Sequence, residues 1–112
     1  MVDAATLQGS IRIEGIERWC ASIDKVLSAA GEKGEIYCGW GQFTLHREVI
    51  RDGLRFTLPT CPNALQWTVT AEANGVLVHC SINRRDHEPD FIESLQRFVD
   101  DWGEGLVRGF RS

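Results

Sequence analysis

No apolar run in this chain approaches the ~18 residues that a membrane-spanning helix needs, so no bilayer-crossing helix is expected. The opening residues Met1-Val2-Asp3-Ala4-Ala5 have neither a basic n-region nor an apolar h-region. No signal peptide is read there, and a cytoplasmic location is expected. Missing too are the spacings that hold metals or phosphates: there is no CxxC, HxxxH or CxH, no P-loop, no GxGxxG, no GxSxG and no HExxH. No metal, cofactor or catalytic residue is therefore assigned. Repeats, low-complexity stretches and linkers are absent, so residues 1–112 are expected to form one α+β domain with a single core.

Basic charge is scarce and uneven. The net charge is −4, and residues 86–104 hold seven acids against Arg97 alone, which makes that segment −6 and the rest +2. Nucleic acid needs a concentrated basic surface, so it is not an expected partner, and neither is a membrane. The acidic segment reads either as a solvated helix face or as a docking surface for a basic partner. Four cysteines, Cys20, Cys38, Cys61 and Cys80, are expected to be reduced thiols, because a core of this size needs no disulfides and no export signal is read. Cys61, before Pro62, is the one expected at the surface, but nothing in the local sequence supplies a base or positive field to activate it.

What the chain has in quantity is periodicity. Residues 6–14 alternate, with Leu7, Gly9, Ile11 and Ile13 on one side, and predict a strand. Residues 15–30 change to helical steps through Ile16, Trp19, Cys20, Ile23, Val26, Leu27 and Ala30, with Gly31 as the stop. Ile36, Cys38 and Trp40 alternate again, and Gly39-Trp40-Gly41 marks a bulge, a bend or a turn. Phe43, Leu45 and Val49 share a side with Arg47 and Arg51, so those arginines need a rim or a partner. Asp52-Gly53 is a hairpin signal that sets Val49 opposite Phe56.

The cleanest strand turns Leu65, Trp67, Val69 and Ala71 inward and Gln66, Thr68, Thr70 and Glu72 outward. A hairpin centred on Asn74-Gly75 then pairs Ala71 with Val78, Val69 with Cys80 and Trp67 with Ile82; on the other face it pairs Thr70 with His79, Thr68 with Ser81 and Gln66 with Asn83. The last helix starts within 86–90, with Pro89 in its first turn, and its stripe is Phe91, Leu95, Phe98, Val99, Trp102 and Leu106. Gly103, Gly105 and Gly109 suggest a fraying tail.

These elements predict an α+β two-layer sandwich: a curved antiparallel sheet of five to six strands with two helices packed on one face, in the order β-α-β-β-β-β(-β)-α. That order is similar to those of TATA-binding-protein-like and small helix-grip folds, a likeness of topology alone that implies nothing about activity.

The polar sides of the alternating segments carry little charge: Gln8 and Ser10; Gln42, Thr44 and His46; Gln66, Thr68 and Thr70; His79, Ser81 and Asn83. A neutral face accepts a partner without desolvating charges. Trp40, between two glycines, is either a core plug or an exposed anchor. Trp40, Gln42, Thr44, His46, Gln66, Thr68, Thr70, His79, Ser81 and Asn83 form the expected partner-binding set. A second candidate group is a basic rim of Arg47, Arg51, Arg55, Arg84 and Arg85. The expected function is a small cytosolic, non-catalytic protein-interaction module of inhibitor, immunity-type, chaperone-like or adaptor kind. It would bind a protein partner or a second copy through the open sheet face or the acidic helix. The alternative is a small-molecule binding protein or small enzyme with a cavity between sheet and C-terminal helix, worked by His46, His79, Thr70 or Arg47.

Overall fold

The computed structural model describes residues 2–62, 64–82 and 89–110. In chain order it contains a short helix α1 (Ala4–Ser10), a single 3-10 turn (Ile16–Arg18), and six strands: β1 (Ile23–Ala30), β2 (Lys33–Cys38), β3 (Gly41–Ile50), β4 (Gly53–Thr57), β5 (Gln66–Glu72) and β6 (Gly75–Ser81). The long helix α2 (Pro89–Phe110) follows. The strands form one antiparallel sheet in which spatial order equals chain order, β1 to β6. The α+β class and the six-strand antiparallel sheet agree with the sequence.

The first quarter of the chain is inverted relative to expectation. Residues 6–14 are not a strand: α1 occupies their start, and Ile11 and Ile13 follow it as buried anchors. Leu7 and Ile11, four apart, suit the helix and its exit as well as they suit alternation. The deciding signal is Asp3, whose Oδ1 accepts from the Thr6 amide at 2.8 Å and the Thr6 hydroxyl at 2.7 Å as an N-cap. These bonds, the hydroxyl's first, hold the Asp3 carboxyl below its ordinary pKa.

Residues 15–30 are not a helix. They give one 3-10 turn and then β1, whose pairing with β2 shifts register between Ile23 and Lys25 and again between Val26 and Ser28. Two bulges in eight residues put Ile23, Val26 and Ala29 on the covered side, three apart, and so imitate a helical stripe. Gly31, at φ +64, turns the β1–β2 hairpin rather than ending a helix; one left-handed glycine serves either purpose. The initial β-α pair on which the topological likeness rested is therefore absent.

Both hairpin signals fall where expected, but each turn closes one residue early. Ile50 faces Gly53 and Glu72 faces Gly75, so the loops are Arg51-Asp52 and Ala73-Asn74. Val49 then faces Leu54, and Arg47 faces Phe56. In the second hairpin Ala71 faces Val76, Val69 faces Val78 and Trp67 faces Cys80, while Thr70 faces Leu77, Thr68 faces His79 and Gln66 faces Ser81. Each register is two residues from expectation, and a slip of two keeps every side chain on its face. Gly39-Trp40 is a tight turn, since Cys38 faces Gly41.

The inward residues Ile36, Leu45, Leu54, Phe56, Trp67 and Val69 join Leu7 of α1 and Phe98, Trp102 and Leu106 of α2 in one core. Each such side chain contributes about 1.5–3 kcal/mol through burial. At the centre Trp67 meets Phe98 edge-on at 4.8 Å and stacks on Phe56 at 5.3 Å. The helix stripe agrees with expectation, but the glycines of α2 are not a frayed tail, because the helix runs on to Phe110. A Cβ at Gly105 would lie 1.9 Å from the Trp19 carbonyl oxygen, so this glycine lets the Trp19 backbone lie against the helix.

Candidate functional site

The outward side chains fall into rows across the sheet. One row runs Lys33, His46, Thr57, Gln66 and Ser81; the next runs Glu48, Arg55, Thr68 and His79; a third runs Ile50, Gly53, Thr70 and Leu77. Gln42 faces Tyr37 and Thr44 faces Glu35 on the β2 side. The topology thus brings Gln42, Thr44, His46, Gln66, Thr68, Thr70, His79 and Ser81 to one face, all exposed or half-buried. Asn83 lies outside the described residues, as do Arg84 and Arg85.

The charges are not confined to the ends of this face. Arg55 sits mid-strand and pairs with Glu48 at 2.8 Å, with both side chains open to water. Two hydroxyls are already committed to neighbouring carboxylates: Thr44 Oγ1 donates to Glu35 at 2.8 Å and Thr70 Oγ1 to Glu72 at 3.0 Å. The neutral patch is therefore the row of His46, Thr57, Gln66 and Ser81, flanked by Thr68 and His79. Half-exposed Leu77 and Tyr37 add apolar area at its two sides. His46 and His79 are three strands apart, roughly 14 Å at ~4.8 Å per strand, so they do not meet over one ion. Among the described residues, no three His, Cys, Asp or Glu side chains converge on a metal-sized point.

Trp40 stands apart from this set. The β2–β3 turn lays it against α2, with ring centroids 5.2 Å from Phe98 and 6.0 Å from Phe91, and its Nε1 donates to Ser94 Oγ at 2.8 Å. It clamps the helix. Gln8 also leaves the face: from α1 its Nε2 donates to the carbonyls of Ile50 at 2.9 Å and Gly53 at 3.2 Å.

Arg47 finds the partner that its inward position demanded. It is 5% exposed; Nε donates to the Ile11 carbonyl at 2.9 Å, Nη2 to the Gln8 carbonyl, and Nη1 to both Glu32 oxygens at 2.9 and 2.8 Å. The guanidinium thus ties the exit of α1 to the β1–β2 turn, and its donors are used structurally. Among the described residues, the expected basic rim reduces to Arg51, Arg55 and this engaged Arg47.

Among the described residues, the depressions of the surface include the following three. A trough of about 1050 Å³ lies between β6 and the second half of α2, lined by Val76, Val78, Val99, Leu106, Val107 and Phe110 and rimmed by Asp100 and Glu104. A recess of about 530 Å³ beside Trp40 gathers Ser22, Asp24, Asp90, Ser94, Arg97 and Asp101. There the Ser22 hydroxyl donates to Asp101, so Asp101 does not simply face water. A shallow hollow of about 460 Å³ holds His46 with Glu32, Lys33, Arg47, Glu48 and Thr57.

The four cysteines are free thiols. Burial pushes Cys20 up to about 12 and Cys80 up to about 11, and raises Cys38 as well, so these three are poor nucleophiles at neutral pH. Cys61 is half-buried against the core rather than exposed.

The trough is the feature that periodicity did not reveal. Val78 reads as covered core, and the position of β6 at the sheet edge leaves it and Val76 half open. The chain matches no protein-family model, no curated protein and no solved structure.

Proposed function

We propose that this protein is a non-catalytic protein-interaction module, a two-layer sandwich whose helices share one face of the sheet and leave the other to a partner. The observation that carries this reading is the collection of His46, Thr57, Gln66, Ser81, Thr68 and His79 on one outward patch. Such groups bind a polar surface without the desolvation penalty of charges. Its partner is another protein or a second copy, met through this face or through α2, and the expected setting is the cytoplasm.

The test is a pair of lysine substitutions, Thr68→Lys and Ser81→Lys, at half-buried outward positions. Both variants keep the wild-type melting temperature within a few degrees, while complex formation, read by sedimentation of the protein in its source extract, is lost. Wild-type sedimentation by both folded variants refutes the face as the contact surface.

One observation favours a second reading. The recess beside Trp40 joins an aromatic wall to Ser22, Asp24, Asp90, Arg97 and Asp101, the composition of a small-ligand site between sheet and helix. His79 and Thr70 are on the other face, so they take no part in it. A small-molecule screen read by Trp40 fluorescence, with Trp40→Phe as control, separates the two readings.

A further inference from the structure

The two edges of the sheet are not alike. β1 carries Asp24, Lys25 and two bulges, the devices that stop an edge from pairing with another chain. β6 has none of them. Its pairing with β5 runs unbroken through seven residue pairs, and the run from Gly75 to Ser81 holds no proline and no Asp, Glu, Lys or Arg.

Among the described residues nothing pairs with the outer edge of β6, and the direction of its outward backbone groups follows from one bond. The Ala71 amide donates to the Asp52 carbonyl at 2.8 Å, and so points away from β6. Ala71 faces Val76, which makes this pair the non-bonded type of an antiparallel ladder. Bonded and non-bonded pairs alternate, so Val76, Val78 and Cys80 turn their N–H and C=O groups out of the sheet. The side chains of Val76 and Val78 face the trough beneath α2, and that of Cys80 packs against the core.

From this coincidence we infer that β6 accepts an extended, basic and apolar segment of a partner protein as a seventh strand. This deepens, and rests on, the interaction-module reading. A strand added there sends alternate side chains into the trough over Val76, Val78 and Leu106, and the others onto the outer face beside Leu77 and His79. The occupant is basic because the trough rim presents the exposed carboxylates Asp100 and Glu104. Arg108 also lines the trough, its Nη2 donating to the Arg18 carbonyl at 3.1 Å, and the two carboxylates outweigh its single positive charge. A second copy joined β6 to β6 would set two such acidic rims against each other across the two-fold axis, which disfavours it as the occupant.

The test uses a synthetic ten-residue peptide that alternates valine and threonine, with two valines replaced by lysine, and a twin carrying glutamate instead. The readout is amide hydrogen exchange of the intact protein by NMR. Added lysine peptide slows exchange at Val76, Val78 and Cys80 at least tenfold, and the glutamate twin needs at least tenfold more peptide for the same effect. The double substitution Asp100→Lys with Glu104→Lys, at exposed helix positions, reverses that preference. No slowing at these amides with either peptide overturns the proposal. Equal potency of the twins overturns the basic occupant. Slowing that needs no peptide and grows with protein concentration replaces the peptide with a second copy. Shifts confined to Gln66 and Thr68 overturn the edge site while the interaction-module reading stands.

Discussion

Replacing Arg47 with methionine keeps an unbranched apolar stem in place of the arginine methylenes and removes the charge and donors. Two carbonyl oxygens, of Gln8 and Ile11, then lose their donor inside the protein. A buried acceptor left unpaired costs about 1–3 kcal/mol, so the two together cost about 2–6 kcal/mol. Glu32 adds little, because its side chain is 50% exposed and water takes over the solvation of the carboxylate. The expected loss is therefore about 3–5 kcal/mol, a large part of the stability of an ordinary domain. Glu32→Gln works in the other direction. It leaves the guanidinium with its two carbonyls and with the glutamine amide oxygen as acceptor, and is expected to cost only about 1–2 kcal/mol. Urea denaturation measures both. With a slope of about 2 kcal/mol/M, the Arg47→Met midpoint falls by roughly 1.5–2.5 M and that of Glu32→Gln by no more than about 1 M. An Arg47→Met variant within about 0.5 kcal/mol of wild type, or a Glu32 variant worse than it, refutes the account.

Two further outcomes are expected. Gly105→Ala loses stability by at least about 2 kcal/mol because its Cβ meets the Trp19 backbone, which outweighs the ~1 kcal/mol gained in helix propensity. Gly103→Ala meets nothing within 4 Å and gains up to ~1 kcal/mol, so thermal melts that move both variants the same way contradict this packing. Alkaline pH also destabilises the fold. Cys20 is raised to about 12 by burial, so below pH ~9 its contribution is intact; above that the unfolded thiol ionises first and stability falls as pH rises toward the folded value. At pH 11 the loss from Cys20 is about 3 kcal/mol, and Cys20→Ala makes the decline between pH 9 and 11 correspondingly shallower. A decline equally steep in that variant assigns it to other groups.

The structure also shows where pattern carries information and where it does not. From residue 33 onward, alternation and helical spacing place every strand and α2, because β2 to β6 pair without bulges and side-chain parity survives a shift of two. The outward patch was legible for the same reason. Before residue 33 the pattern misleads: bulges give β1 a spacing of three, and a seven-residue helix is too short to show a stripe. Trp40 was ambiguous because its two neighbours are glycines, and only the turn geometry and Ser94 settle its side. The edge position of β6, and hence the trough, is a property of the assembled sheet that no local pattern encodes.

Because strand order in space repeats strand order in the chain, each strand can zip onto its predecessor as synthesis proceeds, without waiting for a distant partner. The exception is the cover. Phe98, Trp102 and Leu106 come from α2, which follows all six strands in the chain, so a growing chain holds a complete sheet whose Phe56 and Trp67 face has only the α1 segment over it. The interval before α2 docks is when this protein is most exposed to aggregation, and the uncharged β6 at the end of that sheet is where aggregation would start.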